Sequence, residues 1–380
     1  MHFQQVNLLI SMNLHKITLF SLLIIGLGAC RVPRLTQATN AAITYHGRTL
    51  TNGGNEVDLI SAASYAELQF SGKSCTFSLI NHAEKNDYNY VAIELDGEYK
   101  GRFKVSDTIA TPLTIKVNNR NKWHQMRIFK ATEAQNGIVT VKGVSAARIR
   151  NVPIAPKKRI EFMGNSITSG MGNDLKEIPC GNGSKWYDQH NAYWSYATRV
   201  AQELNVDFML SSISGAGIYR NWNSDGPTVP QQYKNTYLRL DSLQQWDFTR
   251  YTPDIVSIAL GTNDLSLGDG QTPRLPFDST AFVNTYIDFI KTVYTHYPNT
   301  QIVLLNSPMV DGNKGQILTG CLKIIQAAVM AQMPEKKPIK VFEFKAIPAT
   351  GCTGHPTKEE HAMMAQQLLP FMQGVMVELK

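Results

Sequence analysis

The apolar positions of this chain change their period partway along it. From about residue 43 to residue 150 they alternate with polar ones over short runs: Tyr65–Phe70, Cys75–Ile80, Tyr90–Leu95, Leu113–Val117, His124–Phe129 and Gly137–Val141. Period-two alternation broken by Gly, Asn and Asp turns predicts short antiparallel strands, and so a β-sandwich or jelly roll. Beyond residue 159 the pattern becomes short continuous apolar runs set between helical stretches. Arg159–Met163, Val206–Ser212, Ile255–Leu260, Gln301–Asn306 and Ile339–Phe344 read as buried strands, and Ala192–Leu204, Ser279–Tyr297, Gln316–Met333 and Lys358–Gly374 as helices. Such strands joined by crossover helices predict a five-stranded parallel sheet covered on both faces, a three-layer α/β/α domain over residues 159–380. Pro153 and Pro156 disfavour both helix and ladder pairing, which makes residues 151–158 a linker between a β domain at 43–150 and the α/β domain.

Composition changes this picture little. With 380 residues, 43% hydrophobic and 18% charged, the chain is ordinary globular material long enough for two domains. Its net charge of +7 is spread out, and the one dense basic run, Lys157-Lys158-Arg159, falls in the linker, so no nucleic-acid partner is expected. The N-terminus adds more. Leu19–Ala29 is an apolar stretch behind Lys16, too short to span a membrane comfortably, and residues 1–29 read as a bacterial secretory signal. Leu27-Gly28-Ala29-Cys30 resembles a lipobox, in which Cys30 is acylated and becomes the mature N-terminus, with residues 30–42 as a lipidated tether. The expectation is a monomeric lipoprotein of the cell envelope, held on a membrane by acyl chains. Export permits a disulfide among Cys75, Cys180, Cys321 and Cys352, whose spacing fits no zinc pattern. Cys321–Cys352 is the expected pair, bracing the loop with His355 against the preceding helix, while Cys180–Cys352 and free thiols remain open. No metal or cofactor is expected.

Three segments carry the candidate chemistry. The first strand stops at Gly164 and a polar turn then presents Ser166, in Gly164-Asn165-Ser166-Ile167-Thr168. The third strand ends in Gly261-Thr262-Asn263-Asp264, and His355-Pro356 lies near the C-terminus. A serine alone often just caps a helix. Serine, asparagine and histidine together at the C-terminal ends of parallel strands fit an acyl-transfer site, since open α/β sheets bind ligands there. Ser166 is then the nucleophile, His355 the base, and the Ser166 amide and Asn263 carboxamide are oxyanion donors. A further donor comes from Ser214-Gly215-Ala216-Gly217, with Gly215 preferred and Gly217 as rival. The glycine two residues after the serine that a nucleophile elbow needs is missing, which disfavours an α/β-hydrolase.

The order and spacing of these blocks resemble the SGNH (GDSL-type) hydrolase superfamily, with asparagine at Asn165 where aspartate is usual. Ser214–Asn221, Trp246-Asp247-Phe248, Leu260–Asp264, Ser307-Pro308-Met309 and Gly351–Pro356 with His361 resemble the blocks of carbohydrate esterase family 2, and the β segment from Trp123-His124 to Thr132-Glu133 resembles its N-terminal jelly roll. The resemblance implies an acetylesterase acting on plant polysaccharides or oligosaccharides such as xylan and glucomannan, or on 6-O-acetyl hexoses, through Ser166 and His355 with the Ser166, Gly215 and Asn263 donors. Peptidoglycan O-acetyl groups, other small esters, and non-catalytic sugar binding are the alternatives. The general pattern has an aspartate three residues before the histidine; Cys352 stands there. The family often lacks this aspartate and a main-chain carbonyl can orient the imidazole instead, so a Ser–His dyad is expected, with its orienting acceptor left open. An unperturbed imidazole base would make activity rise through about pH 6.5. Tyr219, Trp222, Trp186 and Tyr187 are candidate surfaces for sugar stacking.

Overall fold

The computed structural model describes residues 34–153, 157–181, 183–240, 244–271 and 273–379. The candidate secretory segment and the lipidation candidate Cys30 lie outside the described residues.

The N-terminal domain is one antiparallel sheet, ten-stranded among the described residues. Two runs expected as separate strands, 65–70 and 75–80, are a single strand, Tyr65–His82. It continues through Gly72, near which its register against Ile138–Arg150 slips between Ala146 and Arg148. On one side of the irregularity it pairs with His124–Lys130, on the other with Thr111–Lys116. One long strand therefore serves two parts of a curled sheet, closed around Leu68, Phe70, Phe77, Val91, Ile128 and Val141. The expected tether is shorter than 30–42 on its described side: Arg34–Gln37 is a strand paired with Gly143–Ala146, because its amides and carbonyls complete an otherwise open edge.

The C-terminal domain is a five-stranded parallel sheet in the spatial order 207–212, 159–164, 255–258, 301–305, 340–342. Neighbouring side chains on a strand face opposite ways, and here both faces are dry. Val303 and Leu305 pack with Val200, Met364 and Leu368 of the helices Tyr196–Glu203 and Lys358–Glu378. Ile302 and Leu304 pack with Phe282, Tyr286, Leu322 and Ile325 of Ser279–His296 and Gly312–Gln332. Cys321 belongs to this second face, buried and free. The helical spacing of Leu318, Cys321, Leu322 and Ile325 turns it toward the sheet, so the expected Cys321–Cys352 bond does not form. The disulfide is Cys180–Cys352, with 5.4 Å between Cα atoms.

The first strand in sequence has the second on one side and the third on the other. That reversal of winding opens a crevice at the strands' C-terminal ends, and Ser166, Gly215 and Asn263 follow those three strands. The β domain is keyed into the α/β domain at several places. Arg48, fully buried, donates to the carbonyls of Tyr233 (3.3 Å) and Asn235 (2.8 Å) and to Ser211 Oγ (3.3 Å), with Glu161 4.0 Å away. The turn Ala134–Asn136 places Ala134 in the same apolar cluster as Ile213 and Ala216.

Candidate active site

Ser166 opens a one-turn helix, Ser166–Ser169, directly after the first strand. Asn165 caps it by accepting from the Ile167 amide at 3.1 Å, which holds the serine at the crevice floor. His355 reaches it from the other end of the domain: Ser166 Oγ and His355 Nε2 are 2.8 Å apart. For Nε2 to accept the serine proton, Nδ1 must carry the ring hydrogen. Nδ1 has two acceptors, Thr353 Oγ1 at 3.0 Å and the Thr353 carbonyl at 3.2 Å. The Thr353 hydroxyl donates to the Cys352 carbonyl at 2.7 Å, which leaves its oxygen lone pairs for the imidazole. The acceptor left open by the sequence is thus the Thr353 carbonyl together with the Thr353 hydroxyl oxygen.

The loop holding His355 is closed at its base by Glu360. Its carboxylate accepts from the Thr357 amide (2.7 Å), as half of a capping box, and from the Thr350 amide (3.0 Å) and hydroxyl (3.0 Å). Cys352 is tied to Cys180 on the facing loop, and its amide donates to the Gly172 carbonyl at 3.0 Å. Burial pushes the His355 imidazole down to about 4, helped by the neighbouring His190 and opposed by the Thr353 and Cys352 carbonyls. That lies below the value near 6.5 of an unperturbed base. His361 is no alternative base: it is fully buried, accepts from the Tyr196 amide at 3.1 Å, and burial pushes it down to about 3.

Opposite the histidine lie the candidate oxyanion donors. Asn263 uses one carboxamide hydrogen on the Ala216 carbonyl (2.8 Å) and keeps the other for the cleft. Gly215 lines the cleft at φ +74°, a left-handed conformation that favours glycine. Its N–H has no protein acceptor among the described residues. The rival Gly217 has its amide on Asn221 Oδ1 at 3.2 Å, and a side chain there would run into the Arg220 carbonyl and the Asp264 carboxylate. Asp264 organises this side. Fully buried, it accepts from the amides of Ile218 (3.0 Å), Tyr219 (3.0 Å) and Arg220 (3.2 Å). Burial raises its carboxyl above the usual range although those amides pull the other way.

Ser166, Gly215, Asn263 and His355 line one cleft of about 700 Å³. Trp186 and Trp222 form part of its rim, 43% and 45% exposed. Tyr219 is turned away: its ring packs on Phe277 and Phe282, and its hydroxyl accepts from the Asp278 amide at 3.0 Å. Tyr187 is core, 2% exposed. The sequence missed an apolar wall of Leu265, Leu267, Met309 and Val310, and a contribution from the β domain, Gln135. The wall could have been suspected from residues flanking the asparagine and Ser307-Pro308 blocks; Gln135, some 30 residues before the first block, carries no local signal.

Residues 45–156 match the family model described as carbohydrate esterase 2 N-terminal, and residues 162–347 that of the GDSL-like lipase/acylhydrolase family. An acetylxylan esterase/glucomannan deacetylase of Cellvibrio japonicus is 29% identical over 257 residues, 67% of each chain. A cellulase/esterase of Acetivibrio thermocellus is 28% identical over 337 residues; these cover 87% of this chain but 39% of that longer protein. Among solved structures, a family two carbohydrate esterase from Clostridium thermocellum in complex with cellohexaose superposes with a TM-score of 0.77 at 25% identity, covering 88% of this chain and 99% of that one.

Proposed function

The chain belongs to the GDSL-type acylhydrolases with the domain arrangement of carbohydrate esterase family 2, and from that premise we propose that it removes O-acetyl groups from plant polysaccharides or their oligosaccharides. The observation that carries the chemistry is the 2.8 Å contact between Ser166 Oγ and His355 Nε2 in a cleft shared with Gly215 and Asn263. His355 takes the Ser166 proton as Oγ attacks the acetyl carbonyl carbon. The Ser166 and Gly215 amides and the Asn263 carboxamide stabilise the tetrahedral oxyanion. Collapse breaks the C–O bond to the sugar, whose oxygen takes the proton from His355, and leaves acetyl-Ser166. Water then attacks the acyl carbon as His355 takes its proton; collapse breaks the acyl–Oγ bond, Ser166 Oγ takes that proton back from His355, and acetic acid leaves and ionises to acetate.

The relatives support the substrate class: the Cellvibrio protein is named for xylan and glucomannan, and the Clostridium structure holds a glucan. Exposed Trp222 and Trp186 at the rim suit the apolar faces of sugar rings. The test is acetate release from acetylated xylan, glucomannan and peptidoglycan by wild type, Ser166→Ala and Trp222→Ala side by side. Ser166→Ala should lose at least about four orders of magnitude in kcat, and Trp222→Ala should raise KM for acetylated oligosaccharide more than for an aryl acetate. Turnover by Ser166→Ala at the wild-type rate discards the nucleophile; release from peptidoglycan alone discards the plant glycan.

Attachment to a membrane through acylated Cys30 rests on the sequence Leu27–Cys30. Among the described residues no helix is long and apolar enough to cross a membrane. Cys30→Ser should move the protein from the membrane fraction to the soluble one; an unchanged distribution removes the lipid.

A further inference from the structure

We propose that Gln135, a residue of the β domain, is a positioning residue for the oxyanion site: its side-chain amide fixes the Ser214–Gly215 peptide and thereby aims the Gly215 N–H. This rests on the reading of Gly215 as a donor. Ile213 to Ala216 is a β-turn closed by the Ala216 amide on the Ile213 carbonyl at 3.3 Å, with Gly215 at its third position at φ +74°. That is the type II geometry. It differs from type I chiefly by a flip of the central peptide, here Ser214–Gly215. A glycine at the third position adopts either form at little cost, so residue type alone does not set which way the N–H faces.

The β domain sets it. Gln135 Nε2 donates to the Ser214 carbonyl at 3.0 Å, and the Ser214 amide donates to Glu133 Oε2 at 2.9 Å. The peptide is planar and trans, so its C=O and N–H point in opposite directions. Holding the carbonyl on Gln135 therefore holds the Gly215 hydrogen on the far side. The holding residues are themselves fixed. Glu133 is fully buried and also accepts from Ser169 Oγ at 3.0 Å, one helical turn from the nucleophile. Burial opposes its charge, but His190 and the Ser214 amide outweigh that and keep its carboxyl below the usual range. Buried Lys130 donates to the Thr132 (3.0 Å) and Glu133 (2.6 Å) carbonyls, and Asn89 Nδ2 to the Asn136 carbonyl (3.0 Å). The turn is thus held both by bonds within its own domain and by Ser169 across the interface. The β domain is on this account a working wall of the catalytic site.

Gln135 is half-buried at the cleft, and Gln135→Glu keeps its shape while facing the Ser214 carbonyl with a carboxylate. Since removal of an oxyanion donor costs about two to three orders in kcat, a misaimed one should cost at least about tenfold. We expect that loss in kcat on both an aryl acetate and an acetylated oligosaccharide, with KM within about twofold, and an equal loss of affinity for an aryl boronic acid, whose tetrahedral adduct mimics the oxyanion. Gln135→Met, which removes the donor without adding charge, should show a smaller loss of the same kind. Full kcat in both variants overturns the proposal. So does a loss confined to KM for the oligosaccharide, which would make Gln135 a sugar contact. Asn263→Ala is measured in parallel: if it keeps full activity, the oxyanion reading itself fails; if it alone loses activity, only the role of Gln135 falls.

Discussion

The two sides of Ser166 are built by different physics. On the histidine side, the acceptor for the imidazole is near the surface and close in sequence: Thr353 is exposed, lies two residues from His355, and sits at φ +54°, a left-handed conformation that is rare for a β-branched residue. A disulfide and Glu360 brace that short loop. On the oxyanion side, the holding groups are two carboxylates with no more than 0% exposure, Asp264 and Glu133, the second from the other domain. A backbone turn can be shaped by amide donors converging on one buried acceptor. An imidazole can be oriented by a neutral acceptor as well as by the carboxylate of a Ser-His-Asp triad, and here the acceptors are the Thr353 hydroxyl and carbonyl oxygens. The difference teaches why a dyad without an acidic partner can work here: the missing acid is a matter of orientation, and orientation is supplied locally.

Three measurements press on that comparison. Asn263→Ala removes a donor from the rigid side and should lower kcat by about two to three orders of magnitude with little change in KM; an unchanged kcat would take Asn263 out of the site. Thr353→Val removes the side-chain acceptor but leaves the carbonyl. One neutral hydrogen bond is worth about 0.5–1.5 kcal/mol net, so kcat should fall about two- to tenfold, and a loss of several orders would mean that the hydroxyl, not the carbonyl, orients the ring. The smallest effect is expected from pH. The active base is neutral imidazole, and burial favours that neutral form; with the pKa of His355 pushed down to about 4, kcat/KM should be level from pH 5 to 8 and fall as pH drops through about 4. A limb near 6.5 would show a histidine more solvated than this structure has it.

Much of the α/β domain was legible because buried parallel strands are short, continuously apolar and bounded by turns. Gln301–Leu305 and Arg159–Gly164 fall within a residue of expectation at each end. The β domain was harder. Tyr65–His82 read as two strands because Gly72 and Lys73 interrupt the alternation, and a sequence pattern does not distinguish a bulge from a turn. Ser166, His355, Gly215 and Asn263 were legible because each sits in a block of distinctive residues. Tyr219 and Tyr187 were misplaced, since an aromatic in a loop looks alike whether it faces a ligand or packs on Phe277 and Phe282. The disulfide was misassigned because pairing is decided by which chain segments meet, and the Cys180 loop meets the histidine loop only in three dimensions.

The covalent link between Cys180 and Cys352 spans 172 residues of chain. Apart from that bond, the segment bearing the imidazole is held to the facing loop by the Cys352 amide on the Gly172 carbonyl and the Lys358 amide on the Asn173 carbonyl, with Cys352 and Pro356 buried between them. With both thiols reduced, the histidine segment loses its one covalent tie to the facing loop, so reduced protein should turn over more slowly than oxidised protein at unchanged sheet content, and equal turnover would leave the bond a brace of stability alone.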